Sequence, residues 1–250
     1  MLMSIIAAGA PSLEEHPERF SPEALVAVLP EGLVADALAD CGVKDGLRRK
    51  LPVRATAWLV ILLCLFRDRS YVNLIRMVAS ASSWRGLWRR GSPPTSSAFS
   101  RARDRVGVPA MLGIVERSAA RWIEKSEGVL FHGLRLTAID GTCAKVPDSP
   151  KNAVYFGRPG ASRGQSGYPQ LRLVGLMDVG TRLQRAARFG PYRRAEITLA
   201  RDLLPGVPAG LLVVMDRHFV AYDFLWDILQ RGSHFLVRVK KNTKARVTRW

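Results

Sequence analysis

The spacing of apolar residues changes character near the middle of the chain. Up to about residue 125 it is helical. "SPEALVAVL" offers Ser21 as an N-cap and Pro22 at the first helical position, and Pro30 ends the segment. "EGLVADALADCG" predicts a second short helix stopped by Gly42, and residues 53–66 predict a third that is apolar on every side. In residues 70–81, Leu74, Ile75 and Val78 share one face, as in an amphipathic helix. A basic, aromatic loop, "SWRGLWRRGSPPTS", follows. Thr95 or Ser96 then caps a helix that ends at Gly107, and another runs from Pro109 to about Lys125.

From "GVLFHGLRLTAID" onward the period is two: Leu134, Leu136 and Ala138 alternate with other residues. After a polar loop, residues 168–192 predict two strands joined at Asp178-Val179-Gly180-Thr181. A helix (193–204), a strand (211–216), a helix (220–231) and a fifth strand, "HFLVRVK", complete the pattern. Helices first and a mixed sheet afterwards predict an α/β chain, more strictly α+β. Its first strand is antiparallel to its hairpin neighbour. The strand after the first of the late helices lies parallel beside the first strand, through a crossover. That topology brings two strand-terminal aspartates, Asp140 of "LRLTAIDGT" and Asp216 of "GLLVVMDRHFV", to adjacent strands at one edge of the sheet. Parallel strands bind ligands at that edge.

Charge sharpens the picture. The 250 residues carry 38 Lys+Arg against 21 Asp+Glu, a net +17, with 48% hydrophobic content typical of a globular protein. Residues 1–40 are net −6, whereas 41–150 and 151–250 are net +11 and +12. A surface of this kind attracts a polyanion, and nucleic acid is the first candidate partner. The three cysteines (Cys41, Cys64, Cys143) and four histidines have no zinc-ligand spacing, which fits a reducing cytoplasm and no disulfide scaffold. "MLMSIIAAGA" lacks the basic start of a signal peptide. The apolar run at 57–66 falls short of the about 20 residues a bilayer requires. No membrane and no small-molecule cofactor are expected.

Two ionised carboxylates side by side repel unless a cation lies between them or one is protonated. Oxygen ligands without His or Cys select Mg²⁺ or Mn²⁺. In a basic groove, such a site suits phosphodiester chemistry. The plainer alternative is that each aspartate caps the turn after its strand, Asp140 within an Asp-Gly turn. Among the other acids, Asp178 reads as a hairpin-turn residue at the opposite edge and Asp148 as a loop residue. Asp223 and Asp227 read as helix-start charges. Glu196, near the start of a helix, reads first as a helix-start charge, with leaning toward the site as the lesser alternative.

Long connected blocks carry a family resemblance. "LPEGLVADALADCG" with "RRKLPVRATAWLVILLCLFRDRSYVNLIRMV" resembles the N-terminal helical domain of the DDE transposases of the insertion-sequence-four group. "AIDGTCAKVPDSPKNAVYFGRP", "RGQSGYPQLRLVGLMDVGT" and "VVMDRHFVAYDFLWDILQRGSHFLVRVK" resemble its catalytic core. The resemblance implies an RNase-H-like fold, with Asp140 and Asp216 as the first two catalytic, metal-binding carboxylates. It implies Mg²⁺-dependent (or Mn²⁺-dependent) cleavage at transposon ends, strand transfer into target DNA and a homodimer on DNA in the bacterial cytoplasm, associated with the nucleoid. The family's third carboxylate is a Glu in a Tyr-x2-Arg-x3-Glu-x6-Lys pattern beyond the fifth strand. This sequence stops at "VKKNTKARVTRW", and its last Glu is Glu196. The expectation is a catalytic domain incomplete at its C-terminus. The expected layout is a tail (1–20), a helical DNA-binding domain (21–128) and a partial RNase-H-like domain (129–250).

Candidate DNA contacts are Arg101, Arg103 and Arg105 on the helix after the basic loop, in a helix-turn-helix-like unit or on a solvated helix face. Arg158 and Arg163 lie in the glycine-rich loop "YFGRPGASRGQSGYPQ", Arg217 follows Asp216, and Lys240 and Lys241 open the tail. Two alternatives stand beside the transposase reading. One is a non-catalytic DNA-binding fragment that competes with full-length enzyme. The other is a Mg²⁺ nuclease using Glu196 as its third carboxylate.

Overall fold

The structure, a computed structural model, describes residues 22–44, 51–66, 69–80, 94–161, 164–165 and 167–239. By internal packing the chain divides into two compact units, Met1–Ser118 and Ala119–Trp250.

The first unit is helical: α1 (Pro22–Val28), α2 (Glu31–Asp40), α3 (Val53–Leu65), α4 (Tyr71–Ser80) and the first part of α5 (Ser96–Glu124). Helix α3 is the buried one its all-apolar sequence predicts, with Val53, Ala55, Ala57, Trp58, Leu59 and Leu62 in the core. Leu74 and Ile75 of α4 and Phe99, Ala102 and Val106 of α5 pack into the same cluster. The two helices expected around Gly107 form α5 as one element with a break, where Gly107 is non-helical (φ 72, ψ 162). The cause is local. Glycine enters the left-handed region without a Cβ clash, and Pro109, two residues on, suits the first turn of the helical segment that follows the break.

The second unit is built on a mixed sheet of β1 (Leu130–Phe131), β2 (Leu134–Lys145), β5 (Gln170–Asp178), β6 (Gln184–Pro191), β7 (Leu211–Met215) and β8 (His234–Val237). Its order is β6-β5-β2-β7-β8, with β1 paired to β2. β2 runs antiparallel to β5 and parallel to β7, as the hairpin and crossover rules predict, and β7 is parallel to β8. A three-stranded antiparallel meander continued by two parallel strands is the RNase-H-like arrangement. Helices α7 (Glu196–Leu203) and α8 (Tyr222–Gln230) cover one face. There Ile139, Val174, Leu176, Val213 and Met215 meet Leu199, Leu203, Phe224 and Ile228.

Three expectations need correction. The β2 strand does not end at Asp140; it continues five residues to Lys145 because Gly141–Lys145 pair with Gln170–Val174 of β5. The polar loop after it contains helix α6 (Pro150–Phe156) and the ribbon β3 (Gly160–Ala161) and β4 (Gly164–Gln165). Ser149 caps α6 by accepting from the Asn152 amide, Pro150 opens it and Gly157 (φ 74) closes it.

Asp178 is more than the turn residue its sequence suggests. The hairpin turn is there, with Arg182 N donating to the Asp178 carbonyl. But the Asp178 side chain is fully buried and ion-paired with Arg135 of β2. It also accepts from the Thr181 amide and hydroxyl, both at 2.8 Å. Arg135 in turn donates to the Ser126 hydroxyl at 2.6 Å. Burial pushes the Asp178 carboxyl up, but the bonds from Arg135 and Thr181 outweigh it and hold the group below its ordinary value.

Candidate active site

The parallel ladder between β2 and β7 ends at Ala138↔Val214. Two residues further along each strand stand Asp140 and Asp216. Asp216 stays extended (φ −85, ψ 174), so it continues the alternation of β7. The aspartates are therefore level, one strand spacing apart (on the order of 5 Å between backbones) and on one face. Ile139 and Met215, one residue back, point the other way into the helix-covered core.

Both side chains are exposed, and neither has an arginine or lysine partner among the described residues. The Asp140 carboxylate accepts from the Gly141 amide at 2.8 Å. The Asp216 carboxylate caps the turn Arg217–Phe219 through His218 N at 2.8 Å, and its other oxygen lies 2.7 Å from His218 Nδ1. Five other acids of the unit, Asp148, Asp178, Glu196, Asp202 and Asp223, each pair with an arginine. In a chain of net +17, two adjacent carboxylates with no arginine or lysine attached among the described residues form a concentrated negative spot. The donor set is hard oxygen, which fits Mg²⁺ or Mn²⁺. Among the described residues no three His, Cys, Asp or Glu side chains converge as a metal site.

Glu196 does not join them. It stands at the start of α7, 3.5 Å from Arg172, beneath the sheet. A Cβ added at Gly141 would come within 2.7 Å of its carboxylate carbon. Gly141 and Asp140 are neighbours in a strand and face opposite sides, so Glu196 occupies the side away from Asp140. Two results follow. Glu196→Gln should leave divalent-ion affinity unchanged in a Mn²⁺ titration; a clear loss would restore Glu196 as a ligand. Gly141→Ala should push the Glu196 carboxylate, the flexible end of a partly exposed side chain, aside and cost little stability, read by denaturant unfolding.

The basic candidates separate into groups. Arg101 and Arg103 are exposed on α5, Arg103 lying over the Phe99 ring at 5.3 Å. Arg105 instead donates to the Leu51 carbonyl at 3.0 Å, which ties two parts of the helical unit together. Arg158 is half-buried, bonded to Asp148 and to the Gly167 carbonyl, so it closes its loop. Arg217 is exposed beside Asp216. Arg163, Lys240 and Lys241, with the loop holding Trp84 and Trp88, lie outside the described residues.

Comparison with known proteins decides the family. Residues 20–115 match the family described as insertion element 4 transposase N-terminal, and residues 131–248 match the transposase DDE domain. The chain belongs to the DDE transposases of the insertion-sequence-four group. Among this group's curated members, "Putative transposase InsZ" of Escherichia coli is 31% identical over 203 residues, covering 78% of this chain and 64% of the relative. "Transposase InsG for insertion sequence element IS4", from the same organism, is 26% identical over 216 residues, covering 85% and 47%. The chain thus spans about half to two thirds of the length of these transposases. A solved structure titled as a piggyBac transposase synaptic complex with hairpin DNA aligns over 92% of this chain and 53% of its own, with a TM-score of 0.42 and 11% identity. No described helix of this family member is long and apolar enough to cross a membrane, and its three cysteines are free and exposed.

Proposed function

We propose that Asp140 and Asp216 are the first two catalytic carboxylates of an insertion-sequence transposase, holding Mg²⁺ or Mn²⁺ against DNA. The observation that carries this is their pairing: level on parallel neighbours, on one face, with no arginine or lysine attached in a strongly basic chain. A divalent ion bound there would activate the attacking oxygen and stabilise the leaving oxygen of a phosphodiester. The chain's own groups orient that ion and the strand. His218 fixes the Asp216 carboxylate, and Arg217 beside it meets a phosphate. Arg101 and Arg103 draw in the duplex, with Lys240 and Lys241 as further phosphate contacts. Transposon ends and target DNA are the partners, with a homodimer on DNA, in the bacterial cytoplasm.

The family's third carboxylate, a Glu beyond the fifth strand, does not occur in these 250 residues. Little strand transfer is expected from them alone. The second reading is a DNA-binding competitor of the full-length enzyme. The test is an assay of this chain on DNA carrying its element's end, with Mg²⁺. Specific binding, little turnover and inhibition of added full-length transposase are expected. Strand transfer that disappears in Asp216→Ala would overturn the inactive reading while supporting the site. No binding at all would overturn the DNA reading.

A further inference from the structure

Helix α6 buries none of its residues, and it carries two large side chains in solvent: Val154 is 87% exposed and Tyr155 63%. Yet the segment is firmly attached. Tyr192 N donates to the Phe156 carbonyl at 2.9 Å and Gln170 N to the Gly157 carbonyl at 3.1 Å. Tyr155 packs edge-to-face with Phe156, ring centres 4.8 Å apart. Between α6 and the end of β6 lies an open cleft of about 390 Å³, lined by residues 153–158 with Pro191 and Arg193. A volume in the range of small-ligand sites, about 300–1,000 Å³, suits one nucleotide.

The charge around it is one-sided. Arg193 and Lys151 are exposed and have no acidic partner among the described residues. Asp148 and Asp202 are already paired with Arg158 and Arg194. Position matters too. Pro191 pairs with Leu171 and Leu171 with Ala144, four residues beyond Asp140 on β2. At about 3.3 Å per residue that is roughly 13 Å along the strand, a few nucleotides of DNA.

We propose that this cleft holds an unpaired nucleotide of the DNA strand that passes Asp140, its base against Tyr155 and its phosphates on Arg193 and Lys151. A base inside a duplex has both faces covered by its neighbours and cannot lie on Tyr155. A base outside the stack can, and stacking on an aromatic ring is tolerant of sequence. The proposal rests on the DNA reading above.

The test uses this chain with three fluorescent DNAs of equal charge: a blunt duplex, a duplex with a short overhang, and the same overhang made abasic. The overhang should bind about tenfold tighter than the abasic form, at one fixed salt concentration. Tyr155→Ala should erase that preference, and Tyr155→Trp should keep it. The tyrosine is exposed, so neither change should disturb folding, which circular dichroism checks. Arg193→Gln should weaken the overhang and its abasic form together and leave the blunt duplex unchanged. Equal binding of overhang and abasic DNA overturns this proposal alone. So does a preference that survives Tyr155→Ala. Failure to bind any of the three overturns the DNA reading itself.

Discussion

Asp216→Asn should leave the fold intact and weaken saturable Mn²⁺ binding by about 100-fold or more. The substitution is chosen to separate two roles. As a cap, Asp216 needs only an oxygen that accepts from His218 N, and Asn supplies one. As a metal ligand it needs its charge, which Asn lacks. Even outer partners of metal ligands are worth about 10–100-fold in affinity, so a ligand should exceed that range. Asp140→Asn should act alike, because its one recorded bond is to the adjacent Gly141 amide. The measurement is a Mn²⁺ titration by electron paramagnetic resonance, with denaturant unfolding on the same samples. Unchanged Mn²⁺ affinity in both variants would return the aspartates to the role of turn caps.

Asp178→Ala should cost about 3–5 kcal/mol, the typical loss when one partner of a buried ion pair is removed. Arg135 would keep its bond to Ser126 but lose the carboxylate it is paired with. The paired replacement Arg135→Met with Asp178→Leu should recover much of the loss, since no charge is then stranded. The same pair gives the unit an acid limit. The Asp178 value is lowered in the folded chain. Its stabilisation is therefore fully present above the unfolded value of about 3.9 and is lost as pH falls below it, through the folded value. Unfolding midpoints measured from pH 6 to pH 2.5 should fall more steeply in the parent chain than in the doubly substituted one. Parallel curves would remove Asp178 as the cause.

What could be read in the sequence was whatever obeys a period. The strands, their mixed pairing and the buried α3 followed from alternation and apolar content. The facing of Asp140 and Asp216 followed from the crossover rule. Periodicity says nothing of contacts between distant segments. It therefore missed the burial of Asp178, whose partner lies 43 residues away on β2. It also left Glu196 undecided, because only the three-dimensional position of Gly141 shows which side of the sheet that carboxylate occupies. Helix α6 escaped because seven residues without a buried face carry no pattern; its signals were Ser149, Pro150 and Gly157. Arg105 looked like its neighbours Arg101 and Arg103, and only the Leu51 carbonyl sets it apart.

The pleat of β2 has a bearing on how such a gene decays. Loss of a single codon anywhere between Arg135 and Ile139 keeps the reading frame and shortens the protein by one residue. It also turns Asp140 to the side covered by α7 and leaves Gly141 at the position Asp140 held. Loss of two codons restores the side but displaces the carboxylate by about 7 Å along the strand. In this short segment an in-frame lesion parts the two carboxylates, whereas the same lesion in the turn before β7 leaves both on their face.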